Sequence, residues 1–177
     1  MSASSVVVPA VDIISAVDAI QSEATDFLKT IVAIDSTLDK GEEEVQTAIL
    51  NLLQDTLGSG VEGAKRKQPN LFDVQRVPVI LDKIKDERGF SPVDWNYDES
   101  KFNVVASYQG SSDGTGGSNK ALLLQGHVDV VPAEESDGWS HPPFSPVIKK
   151  GRMYGRGSGD MKAGVVAMIY AVIALRR

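Results

Sequence analysis

The 177-residue chain contains no cysteine, which excludes a disulfide framework and any thiolate metal site. A metal bound by this protein has to be held by imidazole and carboxylate. Histidine is scarce as well, with only His127 and His141. Basic charge is in deficit: 18 Lys and Arg stand against 24 Asp and Glu, giving a net charge of −6 and a pI near 4.9. That balance argues against general nucleic-acid binding, which needs a basic face. The densest basic cluster, Lys65-Arg66-Lys67, reads as a solvated loop. The first ten residues lack the basic n-region and long apolar h-region of a secretory signal. The apolar run 163–175 falls short of the ~20 residues that a membrane span needs. It reads as a fully buried helix inside an α/β core, so no membrane partner is expected. The absent cysteine fits a cytoplasmic location.

What is present is enough for one domain with its own core, since 42% of the residues are hydrophobic. Val17, Ile20, Ala24, Phe27, Leu28 and Ile31 recur at helical spacing and predict a helix over 16–34. A second helix follows Lys40-Gly41, with Glu42, Glu43 and Glu44 in its first turn, where the macrodipole favours them. Its apolar stripe is Val45, Ile49, Leu52 and Leu53, and Gly58-Ser59-Gly60 closes it. Residues 72–85 suggest a further helix, although Pro78 falls inside the pattern and would shift or break it. Residues 102–108 read as a strand. The Gly/Ser/Asp/Thr stretch 110–119 reads as a flexible connection, leading to a second strand at 121–125 in a long-looped hairpin. A short hairpin is expected over 147–154, turning at Lys150-Gly151. A glycine-rich turn then opens the last helix. There is no internal repeat. Helices flanking apolar strands that end in polar loops indicate a three-layer αβα domain.

The chemistry gathers at the polar ends of these elements. The run Leu122-Leu123-Leu124-Gln125-Gly126 delivers His127 and, two residues on, Asp129. Alternation along an extended chain puts both on one side of the backbone. Metal-bound histidines commonly donate their second ring N–H to a carboxylate, a role open to Asp129. A lone His-x-Asp also occurs by chance as a structural pair. The apolar strand ahead and Val130-Val131-Pro132 behind strengthen the metal reading, because sites in open α/β sheets lie at strand ends. Asp160 closes Gly155-Arg156-Gly157-Ser158-Gly159, where an aspartate is often a helix N-cap. The glycine spacing there fits neither a dinucleotide fingerprint nor a phosphate loop, so a nucleotide-binding module is a poor match. The glycines permit a close backbone approach, and with it Asp160 beside His127.

The order and spacing of Gly126-His127-Val128-Asp129-Val130-Val131-Pro132, Trp139, Pro143-Phe144, Gly151, Tyr154-Gly155-Arg156-Gly157 and Asp160-Met161-Lys162 resemble the M20 family of metallopeptidases and deacylases. The resemblance is close over about 120–175 and looser over 17–57, where Ser36 and Gly41-Glu42-Glu43 fit. It implies an aminopeptidase-like zinc-hydrolase domain with a mixed sheet and two zinc ions, with cobalt as a substitute. His127 would ligate one zinc, Asp129 would orient His127, and Asp160 would bridge both metals ahead of a cis Asp160–Met161 peptide. The family also needs an adjacent Glu-Glu pair beyond the last helix, a further carboxylate and a distal histidine. Glu134-Glu135 precedes Asp160 and is not assigned to that pair, nor is His141 assigned as a ligand. Val131-Pro132 and Asp160-Met161-Lys162 look like the acetylornithine deacetylase and succinyl-diaminopimelate desuccinylase branch, and Ala163 stands where a glycine is usual.

Residues 1–177 are therefore expected to be the N-terminal portion of a single metallohydrolase catalytic domain. Its lid or dimerisation domain, the route to a homodimer, is absent from this sequence. The expected activity is hydrolysis of an N-acyl amino acid or short peptide, with this portion inactive alone. Two other readings stand beside it: an M20 dipeptidase or carboxypeptidase, and a non-catalytic short product acting as a binding or structural partner.

Overall fold

The structure, a computed structural model, describes residues 10–58, 72–90, 100–108 and 121–176. The elements run α1 (Ala10–Val32), α2 (Glu43–Thr56), β1 (Asp73–Pro78), α3 (Leu81–Ile84), β2 (Phe102–Ser107), a 3₁₀ turn (Glu135–Asp137), β3 (Val147–Lys149), β4 (Arg152–Tyr154) and α4 (Lys162–Arg176). They fall into two compact units.

The first unit takes residues up to Ala33, 108–127 and 133–177. Its core is α1 against α4: Ile20, Ile31 and Val32 from α1, and Val165, Val166, Tyr170, Ile173 and Ala174 from α4, are buried. The spacing of the α4 set puts them along one side of the helix. Tyr170 stacks at a tilt on Phe27, with ring centroids 6.4 Å apart. Its hydroxyl donates to the Glu23 carbonyl at 3.2 Å, which gives the buried aromatic a polar partner. The helix expected over 163–175 is present, but it is not buried all round, since Ala167, Ala171 and Leu175 are exposed. The hairpin β3–β4 pairs Val147 with Tyr154 and turns at Lys150 and Gly151, as expected. Lys150 and Gly151 both have positive φ, 50° and 74°, the left-handed pair that a two-residue hairpin turn requires.

The second unit takes 34–107 and 128–132. The α2 stripe buries Val45, Ile49 and Leu53, while Leu52 is only half-buried. Phe102 and Leu57 join this core. β1 and β2 form an antiparallel pair from Asp73↔Ser107 to Pro78↔Phe102, and Arg76 lies 4.1 Å over the Phe102 ring. This overturns the helix expected over 72–85: residues 73–78 are a strand, and only Leu81–Ile84 is helical. Val74 and Val77 favour a pleated surface, and Pro78 is tolerated at the end of an edge strand but not inside a helix.

The second strand expected at 121–125 is also corrected. That run has no ladder partner among the described residues, and β2 pairs with β1 instead. Leu122 and Leu123 are 85% and 83% exposed. The flexible connection expected at 110–119 lies outside the described residues. The sheets described are two antiparallel pairs, so the chain is α/β, and the three-layer arrangement is not among the features described.

Candidate metal centre

In the second unit, Val128 and Val130 are buried while Asp129 between them is exposed. The alternation read from the sequence is thus present. Ser36 fixes this segment twice: its hydroxyl donates to the Val128 carbonyl at 2.6 Å, and its own carbonyl accepts from the Val130 N–H at 3.1 Å. Ser36 is fully buried.

In the first unit, the backbone leading to His127 lies tight against α4. A Cβ on Gly126 would sit 2.8 Å from Val165 Cγ2 and 2.9 Å from Met168 Cε. The turn that carries Asp160 is built from short backbone bonds: Arg156 N–H to the Pro143 carbonyl at 2.8 Å, and Lys162 N–H to the Gly157 carbonyl at 3.0 Å. Gly157 takes φ 78°, which L side chains rarely adopt. A Cβ on Gly155 would lie 2.5 Å from Val32 Cγ1 and 3.3 Å from the Pro143 carbonyl oxygen. Arg156 holds the preceding loop, pairing with Asp137 at 3.3 Å and lying 5.0 Å over the Trp139 ring. The Asp160–Met161 peptide is cis.

The outcome is that His127 Nε2 and Asp160 Oδ1 stand 3.3 Å apart, with side chains 50% and 92% exposed. As an ion pair between exposed groups this contact contributes little to stability. As a pair of metal ligands the separation fits. Tetrahedral zinc with bonds of about 2.0–2.2 Å to imidazole nitrogen and carboxylate oxygen sets those atoms about 3.4 Å apart. Among the described residues no group of three or more His, Asp or Glu is arranged to hold a metal. His141 Nε2 contacts Lys149 Nζ at 2.8 Å, and the Glu134 N–H donates to Asp137.

One residue of this site carries no role in the sequence reading. Lys162 is fully buried and its ammonium donates to the Ile31 carbonyl at 2.8 Å. A lysine at the head of an otherwise apolar helix was the available signal.

Solved structures share this fold. The chain superimposes on the yeast (Saccharomyces cerevisiae) di-peptidase Dug1p with a TM-score of 0.53 at 19% identity, covering 94% of this chain and 31% of that one. It superimposes on human carnosine dipeptidase 1 with a TM-score of 0.54 at 25% identity, covering 96% and 32%. In sequence, the chain is 37% identical over 91 residues to the N-formyl-4-amino-5-aminomethyl-2-methylpyrimidine deformylase of Bacillus subtilis, 51% of this chain and 21% of that protein. It is 46% identical over 57 residues to the succinyl-diaminopimelate desuccinylase of Aromatoleum aromaticum, 32% of this chain and 15% of that protein. The fold class is therefore the α/β class of these dipeptidases. Residues 123–177, the segment that holds both His127 and Asp160, match the model of Peptidase family M20/M25/M40. The chain spans about a fifth or less of the length of these two curated relatives. Among the described residues no helix is long and apolar enough to cross a membrane.

Proposed function

We propose that this chain is part of a metal-dependent amide hydrolase of the M20 type, with His127 and Asp160 as metal ligands. The observation that carries the reading is the 3.3 Å separation of His127 Nε2 and Asp160 Oδ1 within a family segment. The nitrogen–oxygen donors suit zinc; two ions per complete site, with cobalt as a substitute, are what the family resemblance implies. Bound there, the metal supplies Lewis acidity toward an amide carbonyl and activation of a water.

The chain's own residues have distinct tasks. His127 offers a neutral ring nitrogen and Asp160 a carboxylate oxygen. Asp129, two residues along an extended segment from His127, is assigned the role of orienting the imidazole, as the family resemblance implies. The general base and the remaining ligands are assigned to no residue of this sequence. We read residues 1–177 as the N-terminal portion of one catalytic domain of the three-layer αβα type. A homodimer would then form through a domain outside this sequence, and the absent cysteine supports a cytoplasmic setting.

The substrate class we infer is an N-acyl amino acid or a short peptide. The desuccinylase and deformylase relatives favour the acyl reading, and acetylornithine is the acyl substrate that the Val131-Pro132 and Asp160-Met161-Lys162 pattern suggests. The dipeptidase folds keep the peptide reading in play, and the assay separates the two. The native polypeptide, sized by mass spectrometry and loaded with zinc, is tested on N-acetylornithine, N-succinyl-diaminopimelate and a dipeptide. Hydrolysis of one of these should vanish in His127→Ala and Asp160→Asn, and fall by roughly 10–100-fold in Asp129→Ala. Undiminished hydrolysis with tight zinc in the first two variants would exclude these ligands. A native product at 19.0 kDa without zinc-dependent turnover would favour the non-catalytic partner reading.

A further inference from the structure

We propose that Lys162 is a positioning residue for Asp160, locking the turn that bears this carboxylate to the C-terminal end of α1. The last turn of an α-helix leaves carbonyls without in-helix partners and carries the negative end of the macrodipole. Ile31 lies in that last turn, and its carbonyl accepts the Lys162 ammonium at 2.8 Å from 131 residues away in sequence. The same residue's main-chain N–H closes on the Gly157 carbonyl at 3.0 Å. Lys162 is therefore held at both ends, its amide inside the Asp160 turn and its side chain on α1.

The neighbouring chemistry makes this tether consequential. The Asp160 side chain is 92% exposed, so little packing restrains it and its position follows from its backbone. Two residues on, Lys162 is fully buried. A buried cation is tolerated only while polar partners satisfy it, and the hydrogen bond donated to the Ile31 carbonyl is one that ties the lysine to α1. The turn is thereby fixed to the last turn of α1, where Ile31 and Val32 are fully buried. The link to metal affinity rests on His127 and Asp160 being ligands; the link to the turn does not.

The experiment compares the full wild-type chain with Lys162→Met, which keeps the length and removes the donor. Tyr170→Phe serves as control, because it deletes a different α1–α4 hydrogen bond, the one from the Tyr170 hydroxyl to the Glu23 carbonyl. Amide hydrogen exchange is followed by NMR, and zinc binding by calorimetry. In Lys162→Met, exchange at residues 157–162 should rise well above any rise along residues 166–173, and zinc affinity should fall by roughly 10–100-fold, the range for residues that orient ligands. Tyr170→Phe should leave both the turn and the zinc affinity as in wild type. A uniform rise over α1 and α4 in Lys162→Met, or equal zinc losses in both variants, would overturn the proposal by showing only a shared stability effect. If wild type, which carries only part of the ligand set, binds no zinc, the exchange pattern alone decides on the tether. If Lys162→Met does not fold, Lys162→Arg is read in its place: a selective rise at 157–162 supports the tether, and wild-type protection there overturns it.

Discussion

At the scale of single residues, the site depends on how closely backbone segments approach. Gly155 is the tightest case, because its missing Cβ leaves room for Val32, whose branched side chain has little rotamer freedom in a helix. Gly155→Ala should destabilise the chain by about 1–3 kcal/mol, the usual cost of overpacking. Combining it with Val32→Ala removes the 2.5 Å clash with Cγ1, so the double variant should be more stable than the sum of the singles. Denaturant titrations of the four proteins measure that coupling, and strict additivity would show that the two residues do not press on each other. The pairing of His127 with Asp160 is legible in the sequence, because the order of apolar run, His, glycine turn and Asp constrains where each can sit. The task of Lys162 is not legible there. Its partner is a backbone carbonyl 131 residues away, and backbone groups leave no trace in residue types.

At the scale of elements, periodicity carries most of the information. α2, the strand β2 and the hairpin β3–β4 sit where apolar spacing and turn residues put them, while α1 starts at Ala10, six residues before the helix expected over 16–34. The stripe on α2 shows the limit of that method. Spacing alone nominates Val45, Ile49, Leu52 and Leu53, yet Ile49 and Leu53 are 5% and 7% exposed while Leu52 is half-buried. Ile49→Ala should therefore cost about 2–5 kcal/mol and Leu52→Ala distinctly less. Thermal melts of the two variants test this, and equal losses would mean that Leu52 is as deep as its neighbours. The segment 72–85 defeats periodicity because its apolar residues suit either period. Pro78 decides against a helix interior, and pairing with β2 supplies the strand with the hydrogen bonds that no local pattern announces.

At the scale of the whole molecule, the run at 122–124 is an exposed apolar segment. Leu122 and Leu123 are almost fully exposed, and the extended segment has no ladder partner among the described residues. Contiguous apolar side chains on an unpaired edge favour association. Leu122→Lys combined with Leu123→Lys should lower self-association of the 177-residue chain, measured by sedimentation velocity across concentration. An unchanged distribution of species would show that this edge does not drive contact. The residues from 120 onward are more legible than those before them, because motif density there is high and the match to Peptidase family M20/M25/M40 covers 123–177.

Residue order alone specifies the three long helices, the β3–β4 hairpin, the exclusion of thiolate chemistry and the candidate ligands His127, Asp129 and Asp160. These depend on residue type and short-range spacing, which a linear pattern records in full. Packing of the folded chain decides that β2 pairs with β1, that His127 and Asp160 stand 3.3 Å apart, that Ser36 fastens the Val128–Val130 segment, and that Lys162 reaches the end of α1. Each of these is a contact with a backbone group, or between side chains distant in sequence. Its geometry is set by how packed elements meet, and the order of residues along the chain does not specify that.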